Sequence, residues 1–124
     1  MIEITLPWPA AGLSPNARMN HMAKWEIAQA ARATAKLAAI AAGWKLARFP
    51  DGRIPMTLVF HFPDNRHRDA DNCLASMKPA LDGLCDALEI NDERLWPITL
   101  DHGKNVKAGQ VVVRIGEPLQ KITV

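Results

Sequence analysis

The stretch from Asp71 to Leu88 constrains the fold most. Its apolar residues, Leu74, Met77, Leu81, Leu84, Cys85 and Leu88, recur at three- and four-residue spacing, the pattern of a helix that buries one face. Lys78 and Asp82 fall on the other side, and Asp71 at the start meets the positive end of the helix dipole. Pro79 lies inside; it lacks an N–H and crowds the carbonyl of Ala75, which predicts a kink. Upstream, Met56 to Phe62 alternates as a strand, with Met56, Leu58, Phe60 and Phe62 on one side and Thr57, Val59 and His61 on the other, until Pro63 ends it. A charged connection, Arg66-His67-Arg68-Asp69-Ala70-Asp71-Asn72, joins strand to helix. Catalytic and binding groups often sit on such connections, held by the rigid elements beside them.

The chemistry of that connection follows from its charges. Asp69 and Asp71 are one residue apart and repel each other, and a divalent cation is the usual offset. Mg²⁺ takes one or two carboxylates, keeps several waters and lets a phosphate complete its octahedron. The planar forks of Arg66 and Arg68 suit that phosphate. Metal ligands and cations in one short stretch point to phosphodiester chemistry; the plainer alternative is an acidic turn that caps the helix. Lys78 is two helical turns from Asp71, on nearly the same face. A third carboxylate, Asp92, lies in the polar turn Ile90-Asn91-Asp92-Glu93 beyond the helix and is placed to fold back towards Asp69. Three carboxylates and a lysine would gather Mg²⁺, a water and a scissile phosphate, the metal acidifying the water and the lysine stabilising developing charge.

A chain of 124 residues provides one domain, taken as residues 1–124, and one modest core. With 48% apolar and 23% charged residues it is a globular sequence and not a disordered one. Arg32 and Lys36 interrupt the alanine-rich stretch, so no apolar run reaches membrane-spanning length and no membrane partner is expected. The start, Met1-Ile2-Glu3-Ile4-Thr5-Leu6, does not read as a signal peptide, and the expected compartment is cytoplasmic. Cys73 and Cys85 have no Cys-x-x-Cys partner and read as small core residues. Net charge is only +2, but residues 1–68 carry nine Lys/Arg against four Asp/Glu, and residues 69–124 carry six against nine. A basic half thus meets an acidic cluster at the connection, an arrangement that suits a nucleic-acid backbone.

Strands are also expected at 2–6, 95–101 and 109–115, the last two joined as a hairpin through His102-Gly103-Lys104-Asn105. A long alanine-dense helix runs from Ala17 or Asn20 to Ala42, where Gly43 stops it. Its small side chains permit close packing on a sheet or a partner, and Lys24, Arg32 and Lys36 give its exposed side a positive character. His21 reads as a surface or capping residue and His61 as a satisfied strand residue. Residues 44–55 form a basic loop, and the tail from Gly116 to Val124 is expected to fray. The fold class is therefore α/β: a small mixed four-stranded sheet packed by two helices.

Several short motifs, in order, resemble the RusA-type Holliday junction resolvases of bacteria and phages. They are Leu6-Pro7-Trp8-Pro9, Leu13-Ser14-Pro15-Asn16, Arg68-Asp69-Ala70-Asp71-Asn72, Lys78-Pro79-Ala80-Leu81-Asp82-Gly83-Leu84 and Ile90-Asn91-Asp92-Glu93. The resemblance implies a RusA-like homodimer. It also implies Mg²⁺-dependent resolution of four-way DNA junctions by paired symmetric incisions in recombination and repair, with Mn²⁺ expected to substitute. It further implies that Asp69, Asp71 and Asp92 bind the metal, that Lys78 is the catalytic lysine and that Arg68 touches DNA. In the best-known form of that family the lysine lies three residues after the asparagine. Here Lys78 is six after Asn72, which moves the ammonium about 5 Å along the helix. Two other readings stay open: an enzyme of the same chemistry acting on flaps or other replication structures, and a non-catalytic branched-DNA-binding dimer in which Asp69 and Asp71 only cap a helix.

Overall fold

In the computed structural model, which describes residues 1–117, the strand from residue 54 to 61 occupies an interior position of the sheet because its sequence can be buried. Every second residue, Ile54, Met56, Leu58 and Phe60, is buried, and the residues between them are half-buried or, for Pro55, exposed. The elements are β1 (Ile2–Pro7), α1 (His21–Ala41), β2 (Ile54–His61), α2 (Ala70–Leu88), β3 (Leu95–His102) and β4 (Gln110–Ile115). Short 3-10 turns lie at Ala11–Leu13, Trp44–Leu46 and Asp92–Arg94. The α/β class, the four-stranded mixed sheet and the two helices are as the sequence predicts. Part of the expected fraying tail, 118–124, lies outside the described residues.

The expected hairpin between β3 and β4 is corrected. The strand order is β1-β4-β2-β3. β4 pairs antiparallel with both β1 and β2, and β3 pairs parallel with β2. The reason is the helix between β2 and β3: a strand, a crossover helix and a strand return in parallel. β3 is left at the sheet edge, exposed along most of its length, where Pro97 costs little. The connection after it is held to β2, with the Gly103 amide donating to the Phe60 carbonyl (3.0 Å) and the Val106 amide to the Phe62 carbonyl (3.0 Å).

α2 runs unbroken from Ala70 to Leu88 through Pro79. Met77, Leu81, Leu84, Cys85 and Leu88 are buried as the spacing requires, and so are Cys73, Gly83 and Ala87, because α2 meets both the core and α1. The helices approach closely at Gly83, where an added Cβ would lie 2.1 Å from the Arg32 carbonyl oxygen. The alanines of α1 make this approach possible, Ala35 and Ala39 being buried. Arg32 is not a free surface cation: its Nε and Nη2 donate to the two carboxylate oxygens of Asp86 at 2.6 and 2.8 Å. That fork raises the Arg32 pKa and lowers that of Asp86. α1 begins at an N-cap, Asn20, whose side chain accepts from the Ala23 amide, and ends as expected before Gly43, which is left-handed at φ 84°. The basic loop that follows contributes Trp44 and Ala47 to the core, which its charge pattern conceals. Among the described residues no helix is long and apolar enough to cross a membrane.

Candidate functional site

Three side chains singled out in the sequence line one open hollow of about 540 Å³: Asp71, Lys78 and Asp92. Asp71 is in the first turn of α2, and Lys78 is two turns further on. Asp92 comes from the 3-10 turn after α2. This turn is built by Asn91, whose side chain accepts from the Glu93 amide at 3.0 Å. Arg94 ties it to the loop before β2, donating to the carbonyls of Pro50 (2.6 Å) and Gly52 (3.0 Å). Met56, Leu74 and Ile98 supply an apolar lining on the same hollow. The sequence places Met56 and Leu74 on apolar faces but gives none of these supporting residues a part in the site; a polar Asn91 before Asp92 was the available signal for a cap.

Lys78 is the centre of the arrangement. Its ammonium donates to Asp92 Oδ2 at 2.5 Å and to Asp82 Oδ1 at 2.9 Å. The hydrogen bond to Asp92, then that to Asp82, raises the Lys78 pKa, and Lys78 in turn lowers that of Asp92. Lys78 is therefore a fixed cation at neutral pH and not a base. Asp92 folds back towards Lys78, where the sequence placed it towards Asp69.

Asp69 lies elsewhere. It occupies the N-cap position of α2, yet its side chain makes no capping hydrogen bond. It sits 3.3 Å from His67 Nε2 and lines a larger groove of about 860 Å³ together with Trp8, Arg66 and Asn72. Among the described residues, no group of three or more His, Cys, Asp or Glu side chains is disposed to hold a metal ion. Asp71 and Asp92 are the two carboxylates lining the hollow, and Mg²⁺ takes one or two carboxylates with water and phosphate completing its shell. Asp69 is not among the residues lining their hollow.

The two arginines also differ. Arg66 is exposed at the rim of the groove, 3.6 Å from Asp64. Arg68 is drawn inward, with its guanidinium 5.3 Å from the Trp8 ring centroid and 5.2 Å from that of Phe62, and paired with Asp64 at 2.9 Å. The Arg68 hydrogen bond lowers the Asp64 pKa. Arg68 Nη2 is buried with no hydrogen-bond partner. Cys73 and Cys85 are buried free thiols, and burial pushes Cys85 up to about 11, so neither is a nucleophile. His61 accepts its bland role, its Nδ1 lying 2.9 Å from the Lys104 carbonyl oxygen.

No protein-family model matches the chain. It is 40% identical over 116 residues to an uncharacterized protein of Xylella fastidiosa (strain Temecula1), an alignment covering 93% of this chain and 76% of that protein. Identity at this level over nearly the whole length shows common descent, and the chain belongs to the same family as that Xylella fastidiosa protein.

Proposed function

We propose that the protein is a Mg²⁺-dependent, structure-specific endodeoxyribonuclease that resolves branched DNA, with the four-way junction as its preferred substrate and a homodimer as its working form. The observation that carries this reading is the convergence of Asp71, Lys78 and Asp92 from two separate elements on one open hollow. Asp71 and Asp92 would hold the metal, and Asp69, Arg66 and Arg68 belong to the neighbouring groove through which the DNA backbone would run. Mg²⁺ bound there would polarise the phosphoryl oxygen and acidify a water. With Asp92 holding the metal, Lys78 would remain anchored by Asp82 and would donate to a non-bridging phosphate oxygen, where negative charge grows. The hollow's apolar wall of Met56, Leu74 and Ile98 lowers the local dielectric and strengthens that contact. The junction preference and the dimer rest on the motif resemblance and on the approximate two-fold symmetry of a junction, which one small chain with one hollow matches only as a pair.

A second reading has its own support: Asp69 faces His67 and, among the described residues, no three-carboxylate cluster is preassembled, as a non-catalytic branched-DNA-binding dimer would have it. A panel of four-way, flap and fork substrates, with Mg²⁺ or Mn²⁺ and without, separates the readings. Metal-dependent paired nicks in the four-way junction support the first; binding to branched DNA with no cleavage under any metal supports the second.

A further inference from the structure

Among the described residues, the outer face of α1 has no partner within the chain. The inner face, with Ala35 and Ala39 buried and Ala31 and Ala38 half-buried, packs towards α2. On the opposite side Met22, Trp25, Glu26, Gln29, Ala33, Lys36, Leu37 and Ile40 are all exposed, Trp25 by 55% and Leu37 by 67%. From Met22 to Ile40 is five whole helical turns, so the face stays on one side along its length. A surface helix ordinarily keeps its outer side polar, and a helix that is apolar on both sides is covered on both. Large exposed apolar patches mark interaction sites.

The order of residues along this face identifies what covers it. Positions equidistant from residue 31 are complementary: Met22 matches Ile40, Trp25 matches Leu37, Glu26 matches Lys36, and Gln29 matches Ala33. A second α1 laid antiparallel across the first, on a two-fold axis level with residue 31, sets apolar on apolar at both ends. It also sets carboxylate beside ammonium twice, and a small alanine near the crossing where backbones approach. An isologous interface needs this self-complementarity and an unrelated partner does not. Glu26 and Lys36 have no ion-pair partner in their own chain among the described residues. A nucleic acid is a poor occupant, because Glu26 offsets Lys36 and the rest of the face is apolar or neutral.

We infer that the exposed face of α1 is a dimerisation surface on which a second copy of this chain docks antiparallel, Trp25 against the partner's Leu37 and Glu26 against the partner's Lys36. The inference supplies a surface for the homodimer and does not depend on the nuclease reading.

Light scattering on the full chain during size-exclusion chromatography tests it. The wild type is expected at twice the chain mass. Leu37→Asp, or Trp25→Asp, is expected at the single-chain mass with unchanged circular dichroism, since both positions are exposed. Glu26→Lys and Lys36→Glu each replace two attractive pairs by two repulsive ones, and each should raise the dimer Kd by about tenfold. An equimolar mixture of these two variants, and the doubly exchanged Glu26→Lys/Lys36→Glu chain, should recover it. A monomeric wild type, a dimer that Leu37→Asp leaves intact, or charge variants that do not rescue each other would overturn the proposal. A dimer untouched by Leu37→Asp overturns this surface alone, and its cleavage of junctions still decides the nuclease reading separately.

Discussion

Lys78 and Arg68, two of the cations flanking the carboxylates, are in opposite situations. Lys78 is 56% exposed, and its partners, Asp82 and Asp92, present it to an open hollow. Arg68 is only 13% exposed, set against the Trp8 and Phe62 rings and tied to Asp64 in its own loop. A cation held by hydrogen bonds at an open surface can exchange partners when a phosphate arrives. One packed against two rings loses its aromatic contacts if it moves. The difference separates a group available for chemistry from one that shapes the loop beside it.

The carboxylates should show the contrast most strongly. Asp71→Asn and Asp92→Asn keep shape but remove the charge proposed to bind the metal, and each is expected to lower single-turnover junction cleavage by about 10³-fold while junction affinity is kept or tightened. Asp69→Asn, in the other groove, is expected to lose only about tenfold, about one hydrogen-bonding interaction's worth. An equal loss at all three positions would show that Asp69 turns away from His67 to join the hollow during catalysis.

Lys78→Ala comes next. Loss of the donated charge should slow cleavage by about 10²-fold, and Lys78→Arg should rescue it only in part, because its fork has a different geometry. The same substitution frees Asp92 from its ammonium. Mg²⁺ affinity, read by calorimetry, should therefore rise as the rate falls. A residue with a merely structural role would lower both.

Arg68→Ala is expected to act on stability, by about 1–2 kcal/mol in denaturant unfolding, through the lost stacking on Trp8 and Phe62. Arg66→Ala should leave stability unchanged and reduce the salt slope of DNA binding by about one. If Arg68→Ala instead proved as stable as the wild type and removed the salt slope, the loop would be the phosphate contact and the comparison would invert.

The smallest effect concerns acid. Asp86 has its pKa held down by Arg32, so this pair contributes stability above the carboxylate's ordinary value of 3.8 and loses it as pH falls through the lower folded value. Asp86→Asn should therefore narrow the stability gap between neutral and acidic pH, visible as a shift of a few degrees in the thermal midpoint at neutral pH and none in strong acid.

These contrasts also show what the chain's pattern reveals. Helical spacing placed α2 and alternation placed β2 because each buries one defined side. The joining of Asp71 with Lys78 was legible because two turns of one helix need no tertiary information. The return of Asp92 was foreseen, but its target was not: besides the local Asn91 cap, Arg94 sets its position through contacts with Pro50 and Gly52 that are remote in sequence. Arg68 read as a phosphate-contacting arginine because nothing local shows that Trp8, from the far end of the chain, packs against it. The β3–β4 hairpin failed for a related reason, since strand order depends on how α2 crosses the sheet and not on the length of the loop.

The account stands most directly on metal-dependent cleavage of a labelled four-way junction by the wild type and by Asp71→Asn, side by side under single-turnover conditions. It predicts paired symmetric nicks by the wild type in Mg²⁺ and none in a chelator, with Asp71→Asn binding the junction but not cutting it. Cleavage by Asp71→Asn at the wild-type rate would contradict it, as would a wild type that binds the junction and leaves it uncut in both Mg²⁺ and Mn²⁺.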